Sequence, residues 1–134
     1  MVRNDNGMFF RYNDGGRHEF YRARGVGDCA TRALAIATDG NYKECYNIMK
    51  KFNRGTPRNG VSRKAIFEMM KSLGYRRINC ENRNVRISDI VKKEGESYYV
   101  LIEKHALCIK NHVIEDTWNS CKEDSKVIAY YHIK

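Results

Sequence analysis

The sequence predicts an α+β fold, with N-terminal helices packed on a C-terminal antiparallel β-sheet. Three observations carry this expectation. Apolar residues recur at helical spacing from Ala30 to Leu73. From Tyr98 onward the pattern changes to short runs rich in Tyr, Val and Ile, which suit strands. The helices come first and the strands later, with no internal repeat. A chain of 134 residues has room for one domain rather than two. Within residues 1–134 we expect an N-terminal hairpin or arm over 1–26, a helical part over 27–74 and a sheet part over 75–134.

The arm carries two aromatic segments, Met8–Tyr12 and His18–Tyr21, around Asn13-Asp14-Gly15-Gly16. That tetrapeptide is strong turn chemistry, so a hairpin is expected. The first helix should start at Asp28, a favourable N-cap, and run to about Thr38. Its residues Ala30, Ala33, Leu34, Ala35, Ile36 and Ala37 are apolar on most sides, which marks a buried helix. Asp39-Gly40 ends it. Asn41 caps a second helix, with Glu44 at the capping-box position and an inward stripe of Tyr42, Cys45, Tyr46, Met49 and Phe52. A loop over residues 55–60 follows. Ser62 caps a third helix with the stripe Ala65, Ile66, Met69, Met70 and Leu73, closed by Gly74. A short strand is expected over Arg76–Cys80, a helical turn over Ser88–Lys93, and strands over Tyr98–Glu103, Lys104–Lys110, His112–Thr117 and Val127–Ile133.

The balance of 42% hydrophobic and 31% charged residues is that of a globular protein, not a disordered one. No apolar run reaches the length of a membrane span, and Met1–Met8 has no signal-peptide core. Five cysteines without a CxxC pair read as reduced thiols of a cytoplasmic protein. The net charge of +9 favours acidic partners. Lys50, Lys51, Arg54, Arg58, Arg63 and Lys64 cluster around the 54–61 loop, and Arg76-Arg77 add to them. No nucleic-acid-binding motif accompanies the cluster.

Cys29 falls at the first position of the expected helix. There the free N–H groups and the helix dipole favour a negative charge and lower a thiol pKa. A thiolate made this way is a nucleophile, whereas the alternative reading is a cysteine that fills the core. A nucleophile of this kind needs a base, and the base an orienting group. If Lys110-Asn111 is a two-residue turn, His105 lies opposite Asp116, with Leu107 opposite Ile114 on the same face. A carboxylate there would hold the ring tautomer and favour the imidazolium. A three-residue loop would instead put His105 opposite Thr117. Cys108, His112, Cys121 and His132 match no common zinc spacing, so neither a metal nor a cofactor is expected.

The order of parts resembles the papain-like cysteine peptidase fold in its short bacterial and phage forms. It is also similar in order to the peptidase domains of bacteriocin-processing transporters. The residues that carry the likeness are Gly27-Asp28-Cys29, His105-Ala106-Leu107 and Asp116-Thr117-Trp118, over roughly residues 20–133. The last triplet is similar to the Asn-Ser-Trp of papain, where the Trp shields the third triad member. The resemblance implies Cys29 as nucleophile, His105 as general base and acid, Asp116 as orienting group and Trp118 as its cover. It implies a peptidase or deamidase acting on a protein or peptide in the cytoplasm of a bacterium or a phage host. The family usually places a Gln ahead of the cysteine to bind the oxyanion, and this chain contains no Gln. The Cys29 N–H, with Asn13, Arg22 or Arg24, would have to serve. The alternative is a papain-like protein without catalysis that binds and inhibits a host protein or nucleoprotein.

Overall fold

A computed structural model describes residues 1–20, 27–57, 60–120 and 123–134. Among them lie four α-helices and a seven-stranded, mostly antiparallel sheet. The strands are β1 (Val2–Arg3), β2 (Phe9–Tyr12), β3 (Arg77–Asn79), β4 (Ser97–Ile102), β5 (His105–Lys110), β6 (Val113–Asp116) and β7 (Ala129–His132). Their order across the sheet is β1-β2-β6-β5-β4-β7-β3, and β2·β6 is parallel. The helices are α1 (Cys29–Thr38), α2 (Tyr42–Phe52), α3 (Arg63–Ser72) and α4 (Ile87–Val91). No helix among the described residues is long and apolar enough to cross a membrane.

The expected N-terminal hairpin does not form. The segment of the second proposed strand holds a 3-10 turn over Arg17–Glu19, and Tyr21 lies outside the described residues. Phe9–Tyr12 instead pairs with β1 on one side and with β6 on the other, Tyr12 opposite Asp116. The turn chemistry at Asn13–Gly16 serves a different purpose. It lets the backbone press against α1, where a Cβ on Gly15 (φ +68) would stand 2.9 Å from the Arg32 carbonyl oxygen.

Every residue of α1 from Ala30 to Ala37 is buried. The helix is enclosed because the sheet covers one side and α2 the other, and its alanines allow close approach. Two hydroxyls of β4 fix it lengthwise. Tyr99 Oη donates to the Ala30 carbonyl at 3.0 Å, and Ser97 Oγ to the Ala37 carbonyl at 2.7 Å. Each such bond contributes on the order of 1 kcal/mol, and the pair sets where α1 begins relative to the sheet. The Asn41 and Ser62 side chains accept from Glu44 N–H at 3.2 Å and Ala65 N–H at 3.1 Å, which starts α2 and α3. Leu73, placed in the inward stripe above, is the C-cap of α3 and 39% exposed, because the helix ends before its face turns inward again.

Side chains alternate across the sheet. Tyr99, Leu101, Ala106 and Tyr131 pack against α1–α3. Tyr98, Val100, Leu107, Ile109 and Ile114 form a second core with Ile87 and Ile90 of α4 on the opposite face. The β5–β6 turn sits one residue later than expected. Asn111 (φ 50) and His112 (φ 67) are both left-handed, as a type I′ turn requires, and Lys110 pairs with Val113. The shift moves every pair by two residues and so preserves which face each side chain occupies.

Candidate active site

The site forms where α1 begins beside the start of β5. Cys29 is the first residue of α1, half-buried, and Ala106 N–H points at its Sγ from 3.4 Å. His105, one residue earlier on β5, lines the same cleft as the Cys29 sulfur. Its Nε2 donates to Asp116 Oδ2 at 2.6 Å, which leaves Nδ1 as the nitrogen free to exchange a proton with a thiol. The continued β5–β6 register sets Asp116 opposite Leu107, so the carboxylate reaches His105 diagonally. Trp118 lies beside the imidazole, ring centroids 4.8 Å apart and tilted by 48°, with 52% of its own surface exposed.

Asp116 is 3% exposed and every carboxylate oxygen is engaged. Oδ2 also accepts from Ser120 Oγ at 3.1 Å, and Oδ1 from Thr117 N–H at 2.7 Å. Arg32 Nη2 is 3.7 Å from Oδ1. Arg32 itself is buried and hydrogen-bonds Asp28, which also accepts from Arg17 Nη1 at 3.1 Å and Tyr42 Oη at 2.7 Å. Asp28 was expected to cap α1 with its side chain, and it does not. Its main-chain carbonyl accepts from Thr31 and Arg32 N–H, while its carboxylate is turned inward to the two arginines and the tyrosine. A buried carboxylate stays charged only where such partners surround it.

Burial opposes ionisation of Cys29, and the His105 hydrogen bond and charge, the Ala106 N–H and the Arg32 charge together outweigh it. The thiol therefore ionises below its ordinary value. Burial likewise opposes charge on His105, but its bonds to Asp116 and Cys29 raise its pKa to about 9. The two shifts run in the direction of a thiolate–imidazolium pair. The other described cysteines move the opposite way. Burial raises Cys45 to about 11, raises Cys80, and drives Cys108 far above its ordinary range. Cys29 alone among the described cysteines is drawn toward the thiolate.

A cleft of about 200 Å³ opens beside the pair, floored by Ala30, Ile66, Leu101 and Ala106, with Arg63 and Lys104 at its rim. The Cys29 N–H is one of the first amides of α1, which have no acceptor within the helix. Asn13 does not line the cleft as a second oxyanion donor. Its Oδ1 accepts from Gly15 N–H at 2.8 Å, and it lines a hollow with Asp39, Gly40 and Lys110 at the far end of α1. A ten-residue helix puts that end roughly 15 Å from Cys29. The Asn13 N–H is instead bonded to the Asp116 carbonyl at 2.9 Å, holding the backbone behind the carboxylate. Arg22 and Arg24 lie outside the described residues, as do Arg58 and Cys121. His112 Nδ1 donates to the Val91 carbonyl at 2.6 Å and His132 Nε2 faces the Lys134 carbonyl at 2.8 Å, so neither ring turns toward Cys108.

Sequence reasoning missed Arg32, Arg17, Tyr42 and Ser120. One signal was available for Arg32: it is the only charged residue within the apolar run Ala30–Ala37, and a charge on a buried helix needs a partner. Comparisons with family models, with curated proteins and with solved structures found no match to this chain.

Proposed function

We propose that this chain is a cysteine hydrolase of amide bonds, a peptidase or deamidase on a papain-like fold. The observation that carries the reading is the His105 imidazole bonded to the buried Asp116 carboxylate at 2.6 Å, on the residue next to Ala106, whose N–H lies 3.4 Å from the Cys29 sulfur. In this mechanism the Cys29 thiolate attacks the amide carbonyl carbon. Negative charge develops on the carbonyl oxygen, and the Cys29 N–H donates to it. The His105 imidazolium gives its proton to the leaving nitrogen as the C–N bond breaks, leaving a thioester on Cys29. His105 then takes a proton from water, hydroxide adds to the thioester, and the acid and thiolate separate. Asp116 holds the imidazole in the orientation both steps use. Substrates of this activity would be proteins or peptides in a bacterial or phage-infected cytoplasm.

A second reading is a papain-like protein that binds and inhibits without catalysis. It rests on the described cleft lining, which holds no Asn or Gln to partner the Cys29 N–H at the oxyanion. One experiment separates the two. Iodoacetamide should label Cys29 faster than the other cysteines in the native protein, and His105→Ala should remove that lead. Equal labelling of all five cysteines ends the hydrolase reading. Selective labelling with a cellular effect that survives Cys29→Ala supports the binder.

A further inference from the structure

The cleft beside Cys29 is chemically asymmetric. Its floor is apolar, and the charged side chains at its described lining, His105 apart, are Arg63 and Lys104. No acidic residue lines it among the described residues. Lys104 is exposed, left-handed at φ 58, and sits at the tip of the β4–β5 turn immediately before His105. It has no ion-pair partner among the described residues. Arg63 begins α3 on the facing wall and lends one nitrogen, Nη1, to Glu81 at 3.1 Å. A guanidinium has five donors, so its fork retains capacity for a second acceptor. The surface continues beyond Arg63 and Ile102 into a neighbouring hollow of about 450 Å³, which these two residues also line. A substrate can therefore extend past the reacting pair rather than end there.

We infer that the cleft selects a substrate carrying a carboxylate close to the scissile amide, seated between Arg63 and Lys104 beside an apolar group on the floor. The inference rests on the hydrolase reading and deepens it: Arg63 and Lys104 are its specificity residues. Charge-assisted hydrogen bonds of this kind hold their ligand more tightly than neutral ones, and a tenfold preference corresponds to a single good contact. The carboxylate could belong to an Asp or Glu side chain or to a chain end, and the two sources share this chemistry.

The test uses tripeptidyl vinyl sulfones, to which a thiolate adds while the adjacent carbon takes up a proton. Matched probes carry Glu or Gln at each position in turn. Alkylation of Cys29 is read as a rate ratio within one protein, so that thiolate reactivity cancels. The expected ratio favours the Glu probe about tenfold at one position. It should fall to about one in Arg63→Gln/Lys104→Gln and reverse in Lys104→Glu, with thermal melting confirming that each variant folds. A wild-type ratio near one at every position and at the chain end overturns the inference, as does a preference that survives both substitutions. A second pair, with a free or amidated carboxylate at the chain end beyond the vinyl sulfone, assigns the source: preference for the free acid alone overturns the side-chain form and retains the chain-end form. Iodoacetamide labelling run in parallel reads the reactive thiol independently, so loss of probe preference with Cys29 still selectively labelled refutes the specificity and spares the hydrolase.

Discussion

Arg32 places Nη2 3.7 Å from Asp116 Oδ1 while Nη1 is hydrogen-bonded to Asp28. One buried cation thus ties the start of the helix that bears Cys29 to the strand that bears the acid. Asp28 is wholly buried and depends on Arg17, Arg32 and Tyr42 for its solvation. Removing one partner of a buried pair leaves an uncompensated charge and costs about 3–5 kcal/mol. Arg32→Met is expected to lose that much in urea denaturation. A loss of about 1 kcal/mol or less, the worth of an exposed pair, would show that Arg32 is dispensable to the network.

The His105–Asp116 bond has its own signature. Asp116→Asn preserves shape but removes the larger of the two influences, Asp116 and Cys29, that raise His105 to about 9. The imidazole pKa should then fall toward its ordinary 6.5, read by NMR titration of the ring protons. Loss of a charge-assisted hydrogen bond of about 1.5–3 kcal/mol predicts a fall in amide hydrolysis of roughly 10- to 100-fold. A rate that holds while the pKa falls would mean that Asp116 tunes the ring without contributing to turnover.

Much of this was legible in the chain. Asn41 and Ser62 announced α2 and α3 because a capping side chain acts within three residues, a range that sequence reading covers. The partners of β2 were not legible. Tyr12 pairs with Asp116 across more than a hundred residues, and nothing local at Phe9–Tyr12 distinguishes a hairpin strand from one that pairs in parallel with a distant segment. The His105–Asp116 contact was anticipated from a turn at Lys110-Asn111, whereas the turn is Asn111-His112. Parity kept both side chains on one face, and the imidazole and carboxylate are long enough to meet diagonally. The Asp28 inversion was hidden for a different reason. An Asp before a helix caps it by default, and Arg17 and Tyr42, placed by tertiary packing, join Arg32 in drawing the carboxylate inward.

The thiolate should depend on His105. In His105→Ala the burial that opposes ionisation of Cys29 remains, while the largest influences that favour it are gone. The pH midpoint for Cys29 alkylation is therefore expected to rise relative to the wild type. On the proposed hydrolase reading, the wild-type rate should climb as Cys29 ionises and decline as His105 loses its proton at about 9. An alkylation midpoint unchanged by His105→Ala would place the cause of the low thiol pKa elsewhere, at Arg32 or the helix start.

Stability should carry the same signature with a definite sign. The folded pKa of His105 is about 9 against an ordinary 6.5, so the folded state holds the proton more tightly. Its contribution is fully present below pH 6.5 and is lost as pH rises through 9. Urea unfolding free energies for the wild type should decline over that window. In His105→Gln the decline should shrink, because the group that releases the proton is absent. Parallel curves for the two proteins would refute the linkage.

Trp118 tests whether an exposed residue can act through the imidazole. Its ring is 4.8 Å from that of His105, yet 52% of its surface faces solvent. An aromatic ring beside a cation at an exposed site contributes about 0.5–1 kcal/mol. Trp118→Ala should therefore lower the His105 pKa by less than about one unit and slow hydrolysis about two- to fivefold. Stability should move by only about 0.5 kcal/mol, as for other surface substitutions. Trp118→Phe, which keeps a ring in place, should restore most of the rate. A large loss of stability in Trp118→Ala with an unshifted imidazole titration would assign the indole to packing rather than to cover of the His105–Asp116 pair.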